Sequence, residues 1–463
     1  MINADDPQSG KPSDHLVPVF TRTPHTDRHK PPARNYRIIK YRPLPQSKVR
    51  KFGEWITSED WDCVVQNEDP TEQVKHFERI LSEKLNLFCP EKSLKISSYD
   101  KPFITAELKT LHRKKCREYY KHGKSVKYLS LKRKFDDLYK YEAKKYLTKT
   151  VNELKFSNPG KMYSILKRLG SKPSESESNG SFSLPLHLEK NLSNNQSAEI
   201  IAEHFAAISQ EFSPLIINDL PDQVKAKLQS RDQPPKVTEH EAFQQIKAAK
   251  KPKGGLPGNL PRLLTQEFAA ELALPVSRII NSILVPGKWP QQWKLEHVIP
   301  IPKIPQPISE DDLRPISLTP FYSKVCEHFV VKWLMQFIGH KNDLRQYGGL
   351  KGNSVNHYLI ELVNFILTCQ DSAEQTAVLS YLVDFQKAFN RQSHQIIITK
   401  LSDLGVPGWL LKPIIGFLQD RRMFVKFQDG ISSEKAFPGG SPQGTILALI
   451  LFLVLINDVG FKN

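Results

Sequence analysis

The sequence predicts an α+β protein, with a basic and mainly helical front followed by a mixed helix-and-strand region. Three observations carry this reading. Charge is uneven: residues 1–170 hold 36 of the 66 Lys and Arg but 21 of the 49 Asp and Glu, so nearly all of the net +17 lies there. Apolar spacing is helical in several stretches between 51 and 283, and from 290 it shifts to short runs bounded by Pro, Gly and Asp. Composition, 39% hydrophobic and 25% charged over 463 residues, fits two or three folded domains rather than a disordered chain.

Taken in order, residues 1–50 are rich in Pro, Arg and His and read as extended, linker-like chain. Between 51 and 100 the pattern shortens to helical pieces, with Val74, Phe77, Leu81 and Leu85 at helix spacing. Residues 104–155 are the most basic stretch. Leu108, Leu111, Leu131, Phe135, Leu138 and Tyr139 give it a narrow apolar stripe, and Gly123 divides it into two helices. Lysines and tyrosines interleave around the stripe. Such a pair could lie along a phosphate backbone, or could be a solvated hairpin.

KPSESESNGSFSLP (172–185) reads as a linker and domain boundary. Helices are expected over 197–213 and 238–250, then, after the Gly/Pro-rich KPKGGLPGNLP (251–261), through Ile283. HVIPIPK (297–303) is a short strand whose prolines suit a sheet edge. AVLSYLVDF (377–385) reads as a buried central strand. His394–Leu404 is a helix stopped by Gly405, with Pro407 opening the next. MFVKFQDGISSEKAF (423–437) is a hairpin turning at Asp429-Gly430. The run Ile446–Ile456 falls short of the 18–20 residues that span a bilayer, so a buried helix is expected.

Several functional classes are disfavoured. The N-terminus has no apolar core of a signal peptide, and the five scattered cysteines form no C-x-x-C pair, which suits a reduced intracellular setting, nuclear or cytoplasmic. Three features could carry chemistry. Asp384, ending an apolar run, either binds metal or caps the chain, since a buried unpaired carboxylate is costly. Gly439–Gly444 is either a backbone cradle for phosphate or a plain loop-to-helix turn. Lys303 and Arg314 flank a loop, and surface charge is the default reading for them.

Five blocks in order change the weight of these features. WKLEHVIPIPK, LRPISLTPFYSKVCEHFV, QYGGLKGNSVNHYLIELVNFI, LVDFQKAFNRQSHQIIITKLSDLGVP and GGSPQGTILALILFLVLIND resemble, over residues 240–458, the reverse transcriptase of non-LTR (LINE-type) retrotransposons. The resemblance implies the fingers and part of the palm of a right-hand polymerase. Carried over by position, it implies that Asp384 is the first catalytic aspartate and a Mg²⁺ ligand. It makes Phe389 the gate that excludes a 2′-hydroxyl. Lys303 and Arg314 become the cations on the incoming triphosphate, and Gln443 and Gly444 the lining of nucleotide and template. The implied partners are an RNA template, a DNA primer and deoxynucleoside triphosphates, with no membrane.

Departures from the pattern are Asn390 in place of a second Asp, Ala448-Leu449 in place of Gly-Pro, and KPKGGLPGNLP without its Asp. KPSDHLVPV (11–19) resembles the end of the endonuclease that precedes such polymerases, with Asp14 orienting and His15 acting on phosphate. The expected layout is therefore an endonuclease remnant at 1–20, a basic helical region at 21–171 and a linker at 172–186. A helical region at 187–289 then leads into fingers and partial palm at 290–463. The family's adjacent pair of aspartates has no counterpart, because Asp403, Asp420, Asp429 and Asp458 are not in an Asp-Asp, and no thumb follows. The expectation is a truncated, inactive polymerase; the alternative is a nucleic-acid-binding protein acting through its basic half.

Overall fold

Residues 2–5, 12–17, 36–97, 103–154, 191–248, 260–341, 352–371 and 377–458, with residues 101, 184, 185, 187, 343 and 345–350, are described by a computed structural model. The linker at 172–185 and the KPKGGLPGNLP segment lie almost wholly outside these residues. The chain divides into two units, residues 1–41 with 93–178, and residues 42–92 with 179–463.

In the first unit, β1 (Ile2–Asp5) and β2 (Pro12–Val17) form an antiparallel hairpin with Asn3 opposite Leu16, where an extended linker was expected. β3 (Tyr36–Tyr41) pairs β4 (Lys92–Ser97). The basic stretch forms two helices as expected, α4 (Ala106–His122) and α5 (Val126–Leu154). Thr105 caps the first by accepting from Leu108 N. Gly123 ends it at φ +60°, a conformation costly for any residue with a Cβ. The two helices meet through ring contacts, His112 with Phe135 at 5.5 Å and Tyr119 with Tyr128 at 5.2 Å. Lys115 stands 4.2 Å over the Phe135 ring.

The second unit begins with α1 (Gln46–Ser58), α2 (Asp62–Val65) and α3 (Pro70–Phe88). Val74, Phe77, Leu81 and Leu85 are all buried on α3, which Asp69 and Pro70 start as cap and first residue. These helices share a core with α10 (Ala269–Leu284) and α12 (Phe321–Ile338). Phe77 meets Tyr322 edge-on at 5.1 Å, and Trp293 Nε1 donates to Glu78 at 3.2 Å. Between them in the chain lie α6 (Asn194–Ser209), α8 (Glu239–Ala248) and α9 (Arg262–Glu267), in the stretches where helices were expected, and the short α7 (Asp222–Leu228), which was not expected.

After the single turn α11 (Gln291–Lys294) comes a five-stranded sheet in the order β6-β5-β7-β8, with β9 (Lys435–Ala436) on β7. β5 (Leu295–Pro302) pairs antiparallel with β6 (Leu313–Leu318) and parallel with β7 (Arg422–Phe427). The edge expected for β5 is thus corrected: it is a central strand. Its pairing with β7 stops at Val298, however, so Pro300 and Pro302 fall where only β6 lies alongside. The prolines mark a free half-edge. Helix α6 covers one face of this sheet, packing Ala198, Ile201, Ala202 and Phe205 with Val298, Leu313, Met423 and Val425.

Two further expectations are corrected. The β7–β8 hairpin, with β8 at Gly430–Ile431, turns at Gln428-Asp429, one residue early, because Phe427 pairs with Gly430 and Gln428 takes the φ of +53°. Residues 377–385 form no strand. Leu379, Tyr381, Leu382 and Val383 are 76 to 93% exposed, since an apolar run becomes a strand only where a neighbour supplies a ladder, and no described strand lies beside it. Preceding it, α13 (Val355–Gln370) also buries none of its residues.

α14 (His394–Asp403) and α15 (Gly408–Leu418) follow, with Gly405 at φ +81° between them and Pro407 as the N-cap of the second. α16 (Ile446–Ile456) is the buried helix expected of the last apolar run, and it continues without interruption through Ala448-Leu449. Leu447, Ile450, Leu451 and Val454 are buried within the helical core, each worth about 1.5–3 kcal/mol of burial.

Candidate functional site

The segment Gly439–Gly444 enters α16, and nearly every polar group along it is tied to a neighbouring element. Gly439 N donates to Ser209 Oγ at 2.9 Å, while that hydroxyl donates to Gly439 O at 2.6 Å. Gly440 N donates to Gln392 O and Ser441 N to Phe389 O, both at 2.8 Å. Ser441 Oγ donates to Gln392 Oε1 at 2.7 Å. On the other side Ser317 N, on β6, donates to Gln443 O at 2.8 Å. Two glycines are required here: a Cβ on Gly440 would stand 2.7 and 2.8 Å from the Asn390 and Phe389 carbonyls, and one on Gly444 2.9 Å from Ser317 O. Both have positive φ, +80° and +128°.

One loop therefore fastens the 386–390 turn, which carries Phe389, to the strand that carries Arg314. Phe389 packs on Phe452 of α16 with ring centroids 5.5 Å apart. Arg314 is exposed opposite Ile301, two residues before Lys303. Lys303 N donates to Asp312 O at 2.7 Å and its Nζ to Asp311 O at 2.6 Å. The structure thus brings Phe389, Gln443 and Gly444 directly together, with Arg314 three residues along β6 from the shared Ser317.

Beneath the loop lies a polar network that the sequence reading missed. Arg421 Nε donates to Glu296 Oε1 at 2.7 Å, with both side chains 1% exposed. Ser317 Oγ donates to Glu296 Oε2 at 2.6 Å, so the ion pair also braces the residue that holds Gln443. The signal was a Glu at an inward position of an otherwise apolar strand, which has to find a cation. His394, on α14, places Nε2 2.5 Å from Gly440 O. Burial pushes its imidazole down to about 4, so near neutral pH the uncharged ring donates to that carbonyl. Under the start of α16, Glu327 is fully buried and accepts from Leu447 N at 3.4 Å, and burial raises its carboxyl to about 7.

Residues 301–462 match the family model described as reverse transcriptase (RNA-dependent DNA polymerase). A probable RNA-directed DNA polymerase from transposon X-element of Drosophila melanogaster is 27% identical over 271 residues, 57% of this chain and 29% of the relative. The RNA-directed DNA polymerase from mobile element jockey of the same fly is 31% identical over 201 residues, 43% and 21% respectively. The match to the transposon BS polymerase is 30% over 200 residues, 41% and 22%. Residues 301–462 form a reverse-transcriptase domain of the LINE type. The aligned part spans less than a third of each of these relatives.

The reverse-transcriptase domain holds Asp384 differently from the sequence expectation. Its carboxylate is exposed, in irregular chain, and makes no hydrogen bond or ion pair among the described residues. No group of three His, Cys, Asp or Glu side chains converges among the described residues either. Magnesium, of the divalent kind that reverse transcriptases use, thus lacks a full donor set here, and one exposed carboxylate does not fit it. Asp420 and Asp458 are engaged by Lys294 and Lys400. Asp14 and His15 fall on β2 of the other unit. No helix among the described residues is long and apolar enough to cross a membrane.

Proposed function

We propose that the 290–463 region is the fingers and partial palm of a retrotransposon reverse transcriptase and seats an incoming deoxynucleoside triphosphate beside the 439–444 loop. The observation that carries this is the single loop joining the Phe389 turn to β6 through Ser441 N, Gly440 N and Gln443 O. Phe389, backed by Phe452, stands as a rigid wall for the sugar, where a 2′-hydroxyl would collide. Arg314, exposed and without an acidic partner among the described residues, is a planar donor free to take phosphate oxygens in pairs. Lys303 adds a second cation just past the end of the strand alongside. Gln443 and Gly444 line the base and template side. By family this domain copies RNA into DNA. Polymerisation by this chain alone is proposed to be absent, and the solitary setting of Asp384 supports that.

The test is equilibrium binding of a fluorescent deoxynucleoside triphosphate to the intact chain. Arg314→Ala should weaken binding about tenfold, the loss of a charge-assisted pair. Phe389→Ala should narrow the preference for deoxy- over ribonucleotide. Unchanged binding in both variants would count against the reading. Incorporation of labelled nucleotide that vanishes in Asp384→Ala would overturn the inactive assignment.

A second reading, nucleic-acid binding by the basic unit, is favoured by the surface of the α4–α5 pair. Its Tyr120 and Tyr141 are 86% and 59% exposed on the most lysine- and arginine-rich stretch of the chain. Exposed rings between cations suit stacking on bases along a phosphate backbone. Asp14 and His15 are proposed as a remnant of the upstream endonuclease, an assignment resting on the KPSDHLVPV pattern alone.

A further inference from the structure

Lys387 is a residue for which neither the sequence pattern nor the family resemblance supplies a role. It lies in the 386–390 turn, three residues after Asp384 and two before Phe389, with a backbone φ of +55° that a residue with a Cβ adopts only at a cost. Its carbonyl accepts from Asn390 N at 2.9 Å and Arg391 N at 3.0 Å, which fixes the turn. Its side chain, 20% exposed, ends 2.7 Å from Asp311 Oδ1. Two other groups converge on the same residue. Lys303 Nζ donates to Asp311 O at 2.6 Å, and His204 Nε2 lies 3.3 Å from Asp311 Oδ1. Both lysine ammonium groups are thus within hydrogen-bonding reach of one acidic residue.

Asp311 itself has no structural duty that needs its carboxylate. The turn Glu310–Asp312 is braced by its neighbour: Ile308 N and Ser309 N donate to Asp312 Oδ2 at 2.8 and 3.2 Å, and Lys303 N to Asp312 O. The Asp311 side chain is 64% exposed and lies against Lys387 and His204. The Lys387 pairing holds that carboxyl below the usual carboxylate range, so it is ionised near neutral pH, whereas burial pushes His204 down and leaves it uncharged there. Lys387 faces that exposed carboxylate and Lys303 the backbone carbonyl of the same residue, so two ammonium groups gather at one point beside the Phe389 wall. An exposed ion pair is weak and is readily exchanged for a stronger anion.

Resting on the nucleotide-seat reading above, we propose that Lys387 and Lys303 together receive the terminal phosphates of the incoming triphosphate, and that Asp311 is a latch whose carboxylate occupies that seat until phosphate displaces it. The phosphate oxygens take over the Lys387 ammonium as the Asp311 carboxylate swings into solvent, with Lys303, held on the Asp311 backbone carbonyl, close enough to add its charge. The strained turn is then a device for holding an ammonium at the far end of the nucleotide from the sugar gate. The binding exchange involves no covalent step.

A purely structural Lys387–Asp311 bridge and a latch predict opposite signs for one substitution. With the intact chain and a fluorescent deoxynucleoside triphosphate, Asp311→Asn should tighten binding about three- to tenfold by removing the competing anion. Lys387→Ala should weaken it about tenfold, Lys387→Arg should restore most of the loss, and the Lys387→Ala/Asp311→Asn double variant should bind no better than Lys387→Ala. Inorganic tripolyphosphate should compete with the same order across the variants. Thermal melting by circular dichroism shows that each variant is folded. Weaker or unchanged binding in Asp311→Asn overturns the latch, as does Lys387→Ala that binds like the parent while Arg314→Ala does not. Triphosphate binding that is absent from the parent chain, or indifferent to Arg314 and Lys387 alike, overturns both the latch and the nucleotide-seat reading.

Discussion

Removing one member of the Glu296–Arg421 pair should be among the most damaging single changes in the second unit. Both side chains are 1% exposed, and Glu296 accepts from Arg421 at one oxygen and from Ser317 at the other. Arg421→Met leaves a carboxylate in a dry environment with only a hydroxyl to answer it, and breaking such a pair from one side costs about 3–5 kcal/mol. Against a total stability of about 5–15 kcal/mol for a domain, this takes about a fifth at the least and nearly all of it at the most. Replacing both ends, Glu296→Leu with Arg421→Met, removes the uncompensated charge along with the pair. The double variant should therefore recover most of what either single variant loses, so that its cost falls well below the sum of the two. Urea denaturation followed by tryptophan fluorescence reads this as shifts in midpoint at constant slope, because Trp289 and Trp293 lie in the adjoining core. Losses that simply add in the double variant would refute the argument, since they would mean that the two charges do not compensate one another.

Gly440→Ala should cost about 1–3 kcal/mol and loosen the 439–444 loop, because the new Cβ meets two carbonyls below 3 Å at a φ of +80°; thermal melting together with nucleotide binding checks both effects. Glu327 gives a pH dependence of known sign. Its folded carboxyl is raised to about 7 by burial, so the stability it contributes is fully present below its unfolded pKa near 4.5 and is lost as pH rises through 7. Glu327→Gln should remove that slope and gain on the parent by something on the order of 3 kcal/mol at pH 8, read from urea midpoints at pH 5 and 8; equal slopes would refute it. RNA or DNA binding by the basic unit should fall by orders of magnitude between roughly 50 and 200 mM salt and persist in Asp384→Ala. Filter binding across a salt series decides it, and a flat salt response would remove the phosphate-backbone reading.

The parts of the fold that were legible in the sequence are those fixed by local periodicity or by a single conformational demand. The apolar stripe of α3 and the break at Gly123 need no distant partner to be recognised, and both stand where expected. Strands were harder, because their state depends on what lies alongside. The prolines of β5 marked one unpaired half-edge but said nothing of the parallel neighbour at its other end. AVLSYLVDF looked buried for its apolar character alone, yet Leu382 is 93% exposed where no ladder forms. At the candidate site, the glycines announced themselves by type, and Phe389 only through the family resemblance. The Glu296–Arg421 pair is separated by 125 positions, and Lys387 meets Asp311 across a gap of similar kind, so neither was visible before the chain was folded.

The ties that hold the 439–444 loop run largely from backbone to backbone: Gly440 N to Gln392 O, Ser441 N to Phe389 O, Ser317 N to Gln443 O. Main-chain amides are present whatever residue supplies them, proline excepted. The shape of this region is therefore insulated from mutation at most positions and exposed to it at few. A lineage carrying such a domain can accumulate substitutions around the loop while its outline persists. Erosion of the outline should begin at Gly440 and Gly444, where the packing leaves no room for a side chain. In a set of diverged copies, those two positions are the ones whose loss marks the point at which the seat itself is gone.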